Sequence, residues 1–319
     1  TPKMAALIAD GMLPEPTYRS VDVISEGTCL ITGAPDVALA TAQSLVEVLS
    51  VTVLLTSGED IVPTHEYDVV LGKLKQASGT IGQFEVKIDS FQQSLVGGRG
   101  TPGLTAPRDG ALSHCDIILD LTGGTPLFPA PEKRDGYLRA DPKSQPAVAH
   151  AVFTASQLVG TFEKPLYVRM EPTLCAHSRA EKPACSNCLN VCPTGAIVSA
   201  GEHVSIDPMI CAGCGACAAV CPSGAISYDM PTVDHIFRRI NTLATAYRNA
   251  GGKDATLLVH DDHGAEMISL SARHGRGLPA HVIPMKVNAL SGFGHAEILA
   301  ALASGFAAVD ILVGPKTER

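Results

Sequence analysis

Apolar positions along this chain fall into short buried runs and amphipathic stretches, separated by Gly, Pro and Asp punctuation. Residues 27–32 form an apolar run of strand length that ends at Gly33-Ala34-Pro35. Asp36 follows as an N-cap for a helix whose Val37, Ala40, Leu45 and Val48 share one face. Residues 51–56 are the next strand, so the pattern opens with a βαβ unit. Residues 68–75 and 83–89 alternate with period two around Ser78-Gly79-Thr80 and predict a hairpin. Residues 97–110 are a Gly/Pro-rich loop, 116–121 return as a buried strand, and a helix is predicted at about 145–160. Residues 27–170 therefore read as a Rossmann-like α/β domain. Residues 1–26 are interrupted by prolines, show no period, and are expected to be irregular.

A second α/β region starts after Pro231. Residues 232–250 predict a helix with Val233, Ile236, Phe237, Ile240, Leu243 and Tyr247 on one face, stopped by Gly251-Gly252. Strand runs at 255–259, 281–285 and 308–313 alternate with helices near 264–274 and 295–304, the signature of a parallel sheet. Residues 232–319 are thus expected to be a small parallel α/β domain, flavodoxin-like and incomplete. Too few helices are available to cover both faces of its sheet. The exposed apolar surface is expected to be buried by a second copy, another subunit or a continuation of the polypeptide. With Thr1-Pro2 at the start in place of an initiator Met, the chain reads as a fragment of a larger protein.

Between these regions, over residues 171–231, cysteine spacing replaces periodicity. Eight of the ten cysteines lie there in two runs. The second is Cys211-x2-Cys214-x2-Cys217-x3-Cys221-Pro222, and the first is Cys175-x9-Cys185-x2-Cys188-x3-Cys192-Pro193, the same motif with its first gap stretched. Three thiolates at two-residue gaps wrap one four-iron cluster, and the fourth, three residues on and before proline, ligates the other cluster. The expected sets are Cys175, Cys185, Cys188 and Cys221 for one [4Fe-4S] cluster, and Cys211, Cys214, Cys217 and Cys192 for the second. Zinc sites use C-x2-C pairs and have no reason for a third cysteine two residues on. A disulfide framework would need an oxidising compartment, and the chain shows no secretory signal.

The two runs also repeat each other. Cys188-Leu-Asn-Val-Cys192-Pro-Thr-Gly-Ala-Ile197 aligns without a gap on Cys217-Ala-Ala-Val-Cys221-Pro-Ser-Gly-Ala-Ile226. Over roughly residues 171–231 this resembles the bacterial two-cluster ferredoxins. The resemblance implies that Ile197 and Ile226 pack against the clusters and that loop N–H groups donate to the sulfurs. Arg179 and Lys182, in the stretched gap, either raise the potential of one cluster or are solvated charges of little effect.

Other motifs are weaker. Gly33-Ala34-Pro35-Asp36 stands where a dinucleotide fingerprint would stand, but Pro35 replaces the second glycine and Glu59 lies beyond the strand end, so a structural turn is expected. His260-Asp261-Asp262-His263 could face a metal, and Asn288–His295, a segment with Gly292 and Gly294, could meet a phosphate or flavin; a helix cap and a plain turn are the expected roles. Cys29 and Cys115 sit in apolar runs as small buried hydrophobes.

The ending Val282-Ile-Pro-Met285, Glu297–Ala301 and Gly305–Val313, together with Cys185–Ile197, is similar to the heterodisulfide-reductase-A and methyl-viologen-reducing hydrogenase delta-subunit group. That resemblance implies a dinucleotide-type domain, ferredoxin modules and a small α/β domain in one redox assembly. This chain departs from it at Pro35 and in having no cysteine from 285 to 294.

Composition narrows the function. With 45% hydrophobic and 18% charged residues and no Trp, the chain is an ordinary soluble protein cored by Ala, Val, Leu and Ile. No apolar run is long enough to span a membrane and no leader is recognisable, so the cytoplasm is the expected location. A net charge of −8 argues against nucleic acid and favours a basic patch on a redox protein partner. The expected function is electron transfer, as a protein or as one component of an oxidoreductase complex, needing no acid, base or nucleophile. The rival is a flavin- or NAD-linked oxidoreductase in which residues 27–160 bind a dinucleotide that feeds the clusters.

Overall fold

The computed structural model describes residues 1–57, 65–95, 103–178, 182 and 184–314. Glu59, Arg179, the glycines from 97 to 100 and the last five residues lie outside them. The chain divides into two compact units. One comprises Val21–Lys164 with Pro193–Gly195, and the other Thr1–Ser20, Pro165–Cys192 and Ala196–Arg319.

The N-terminus corrects the expectation of irregular structure. Pro2–Gly11 is helix α1, capped by Thr1, whose hydroxyl accepts from Met4 N at 3.4 Å. Proline in the first turn gives up no hydrogen bond and presets φ. What reads as an interruption is therefore a helix start. Strand β1 (Ser20–Ser25) follows.

The unit of residues 21–164 is built on one sheet. Its strands are β2 (Thr28–Gly33), β3 (Ser50–Leu55), β4 (Asp68–Ser78), β5 (Phe84–Leu95), β6 (Gly103–Leu104), β7 (Ala111–Cys115), β8 (Ile117–Leu121) and β9 (Tyr137–Arg139). The order is β6-β5-β4-β3-β2-β8-β9, with β7 paired to β5. The five strands β4-β3-β2-β8-β9 are parallel, and the chain leaves the central β2 first to one side and then to the other, as in doubly wound sheets. Helix α2 (Pro35–Leu45) provides the β2–β3 crossover, and α3 (Gln145–Ser156) follows β9. One sheet face buries Ile31, Val53, Leu119 and Leu121 with Ala38, Leu45 and Ala155 of these helices.

The other face departs from a Rossmann pattern. It packs Leu30, Leu54 and Ile118 with Phe84, Val86 and Ile88 of the antiparallel β4–β5–β7 arm, in place of helices. Phe84, Phe128 and Tyr137 complete this layer at ring separations of 5.6 and 5.0 Å. Cys29 and Cys115 lie buried in these layers, and burial holds both thiols well above the usual range, Cys115 at about 12. They are inert packing residues. Strand β10 (Gly160–Pro165) pairs with β1.

In the other unit, β11 (Val168–Met170), helix α4 (Asn187–Val191), β12 (Ile197–Ala200), β13 (His203–Ile206), helix α5 (Ala216–Ala219) and β14 (Ile226–Tyr228) form the cysteine region. The strands make two antiparallel pairs, β11 with β14 and β12 with β13. Then come α6 (Val233–Asn249), β15 (Thr256–His260), α7 (Asp262–His274), β16 (Val282–Lys286), α8 (His295–Ser304) and β17 (Ala308–Leu312). The last three strands form a parallel sheet of order β16-β15-β17. Leu257, Val259, Ile283 and Met285 bury one face of it against Ile240 and Leu243 of α6, Ala301 of α8 and Ala6 of α1. Helix α7 buries little besides Gly264 and leaves Met267 and Leu270 exposed, as are Ile311 and Val313. Among the described residues no helix is long and apolar enough to cross a membrane.

Helix α1 is clamped to this layer by charge as well as by packing. Arg239 Nε and Nη2 donate to the two Asp10 carboxylate oxygens at 2.9 and 2.8 Å, and Lys3 donates to the carbonyls of Leu278 and Pro279. A bidentate, largely buried pair is the strong kind. Asp10→Ala is expected to lower stability by about 1–3 kcal/mol in chemical denaturation, against roughly 0.5 kcal/mol or less for the exposed Asp22→Ala. Equal midpoints for the two variants would show that the pair does not hold α1.

Candidate metal centre

Each cysteine run places its thiols on a loop that closes into one short helical turn. Cys175 ends the turn Pro172–Leu174 and is buried, Cys188 lies within α4, and Cys192 caps its end. In the second run Cys217 lies within α5, with Cys211 and Cys214 on the loop before it. The repeat read from the sequence has a structural counterpart here. Ile197 opens β12 and Ile226 opens β14, and both are buried in one cluster with Cys175, Cys188 and Cys217, against which Cys192 and Cys221 pack.

The electrostatics sort these thiols. Burial, then the charges of Cys185 and Cys175, raises the Cys188 pKa. Burial, then Cys211, Cys214 and Cys192, pushes Cys217 up to about 12. Thus Cys192, from the first run, acts on Cys217 together with Cys211 and Cys214. Asn187 of the first run donates from Nδ2 to the Val220 carbonyl, next to Cys221, at 3.4 Å. Burial opposes ionisation of Cys221 too, but donors outweigh it: Ile226 N–H at 3.4 Å from Sγ, the Ser223 hydroxyl, and the N–H groups of Ser223 and Ala225. Leu189 and Ala218 give N–H groups to Cys188 and Cys217 at matching positions of the repeat. Buried thiolates that repel each other need a cationic core and oriented N–H dipoles to ionise together.

The donor chemistry fits an iron–sulfur group. All ten cysteines are thiols, none in a disulfide. Among the described residues no three His, Cys, Asp or Glu side chains converge on a single ion. A zinc ion needs four ligands within about 2.3 Å of one point. A polyatomic cluster, in which each iron takes its own thiolate, does not require its ligands to meet at one point.

Two supports were not read from the sequence. In the stretched gap, His177 is buried, with Nδ1 2.7 Å from the Cys185 carbonyl and Nε2 2.8 Å from Ser199 Oγ. A carbonyl only accepts, so Nδ1 carries the proton and Nε2 accepts from the serine. Ala184 N also donates to the His177 carbonyl, so the excursion closes on itself. Lys182 is exposed beside it. The second support lies in the segment Asn288–His295, expected from sequence to be a turn and cap rather than a phosphate or flavin contact. Here Ser291 donates to the Cys214 carbonyl at 2.5 Å and Asn288 donates to Tyr228 Oη at 3.2 Å. Tyr228 in turn donates to the Gly213 carbonyl at 2.9 Å. The segment is a turn that grips the 211–217 loop. A histidine in an unusually long gap and glycines at a strand end were the available signals, and neither specifies a partner.

The remaining motifs resolve into local structure. Pro35 opens α2 at its first turn, and Asp261 caps α7 by accepting from Gly264 N at 2.9 Å. Asp262 pairs with Lys286 at 2.5 Å. At the carboxyl edge of the first sheet, buried Asp120 is satisfied by Tyr137 Oη at 2.5 Å, Thr122 Oγ1 at 2.6 Å and Arg139 Nε at 3.4 Å.

Comparison with known proteins agrees with the cysteine geometry. A protein-family profile described as a 4Fe-4S dicluster domain matches residues 161–225. That match supports an iron–sulfur electron-transfer role for this region. No curated protein matches the chain, and the likeness of the flanking regions to the heterodisulfide reductase and hydrogenase delta group gains no support.

The grip on the second loop yields a differential prediction. Gly215 has φ +78°, and a Cβ there would lie 2.8 Å from Gly292 Cα, whereas Gly224 has φ +67° and open space. Gly224→Ala should cost about 1–2 kcal/mol for the left-handed backbone alone. Gly215→Ala should add roughly 1–3 kcal/mol of overlap. Paired denaturation curves measure the difference, and equal costs would deny the close approach.

Proposed function

We propose that this chain is an iron–sulfur electron-transfer protein or subunit whose two [4Fe-4S] clusters relay single electrons between redox partners. Cys175, Cys185, Cys188 and Cys221 would hold one cluster, and Cys211, Cys214, Cys217 and Cys192 the other. The observation that carries the reading is the 4Fe-4S dicluster-domain match over residues 161–225, the region in which the thiols of both runs gather. The C-x2-C-x2-C-x3-C-P spacing calls for an exchange of the fourth ligand between runs, and the influence of Cys192 on Cys217 supports it. When bound, the clusters would supply reversible one-electron chemistry. The chain's part is to keep water off and to stabilise charge on sulfur. Ile197 and Ile226 bury the sulfurs, and the N–H groups of Leu189, Ala218 and Ile226 offset their negative charge. Nothing in the β2–α2 turn, which starts its helix on Pro35, favours a dinucleotide-dependent reading.

Purified without oxygen, the chain is expected to carry about eight iron and eight acid-labile sulfide. Two zinc ions and no sulfide would overturn the proposal. Cys192→Ala should abolish the paramagnetic signal of the cluster bound by the 211–217 loop and leave the other. The opposite loss would refute the assigned pairing while keeping the cluster reading.

A further inference from the structure

Beside the second cysteine run lies a crevice of about 360 Å³ that the electron-transfer reading does not use. Its walls come from β11 and β13 and include Tyr167, Met170, Ile206 and Cys211, with Arg19 and Arg169 among its lining cations. The volume falls within the range of about 300–1,000 Å³ usual for small-molecule sites, and a mostly apolar lining with few polar groups is their usual make-up. The two arginines differ. Arg19 donates from Nε and Nη2 to Asp229 at 3.1 and 2.9 Å, so its charge is offset. Arg169 is exposed and makes no ion pair among the described residues. Glu171 lies within its electrostatic reach, but that carboxylate is engaged by the Thr173 hydroxyl at 2.6 Å. The crevice therefore offers one accessible guanidinium beside a partly apolar, partly aromatic wall that also holds His203, Ser205 and a cysteine of the second run.

We propose that this crevice binds a small planar aromatic monoanion, of the acid-substituted quinone class, that exchanges one electron with the cluster held by Cys211. The ring would lie on the apolar wall beside Tyr167 and Met170, and its acidic group would meet Arg169, which can pair with it in two-point fashion. The electron lost by one centre is the electron gained by the other, and no bond is made or broken. The proposal rests on the cluster assignment above. A concave site suits a small molecule better than a flat protein surface does, so the carrier is a diffusible molecule.

Anthraquinone-2-sulfonate is a suitable probe, titrated calorimetrically into the oxidised holoprotein after iron and sulfide have been assayed on the same sample. One saturable site per chain is expected. Arg169→Glu should weaken it at least about tenfold, Arg169→Lys should weaken it less because the charge survives without the two-point contact, and Lys143→Glu in the other unit should leave it unchanged. The bound probe should also perturb the paramagnetic signal of the cluster on the 211–217 loop and not that of its twin. A protein with full iron content that shows no saturable binding, or equal binding by Arg169→Glu, overturns the proposal. Docking of an acidic redox protein through Arg169 without quinone binding overturns it as well. A chain without iron and sulfide defeats the cluster assignment first, a result the assay separates from the others.

Discussion

Eight thiols, three buried and five half-buried, gathered in a few short turns are the constraint that the rest of the cysteine region answers. Burial alone drives such groups toward the neutral form, and each ionised neighbour drives them further. Cys217, pushed up to about 12 among Cys211, Cys214 and Cys192, displays both effects at once. Only a cationic core with well-placed donors makes the ionised set favourable, so the region's backbone is shaped to supply donors. Helices α4 and α5 have a single turn each. They are long enough to aim Leu189 and Ala218 N–H groups at sulfur, and too short to stand without the packing of Ile197 and Ile226.

The two halves meet this constraint with different neighbours. The first loop is secured from within, by His177 bridging the Cys185 carbonyl to Ser199. The second is secured from outside, by Ser291, Asn288 and Tyr228 at the carboxyl edge of the small parallel sheet. Hydrogen bonding and exposure around the sulfurs tune cluster potentials. A sequence repeat with unequal surroundings is thus a route to two unequal centres. The sheet in turn depends on α1, whose Asp10 is held by Arg239 more than two hundred residues away in sequence.

Much of this was legible in the chain itself. Period and punctuation located α6, α7, α8 and strands β15, β16 and β17 to within a few residues, because each element is long or regular enough for burial to imprint its period. The spacing of cysteines named the chemistry, since covalent ligation depends on residue type and short-range reach. Three readings were not available in this way. Pro2 looked like an interruption and begins a helix. The arm of β4, β5 and β7 replaced the helices that a doubly wound sheet would carry on one face. Asn288–His295 read as a plain turn and cap, and nothing along the chain said that this turn supports another loop.

By itself, then, the sequence determined the local matters: where most strands and helices run, which eight cysteines carry the spacing of cluster ligands, and that the 188–197 and 217–226 segments repeat each other. Tertiary structure alone decided which turn braces the 211–217 loop, that α1 joins a sheet at the far end of the chain, and where a crevice opens beside Cys211. The reason is one of range. Backbone propensity and periodic burial act over one or two turns, and a sequence records them directly. A hydrogen bond such as that from Ser291 to Cys214 joins groups whose separation along the chain carries no information about their separation in space.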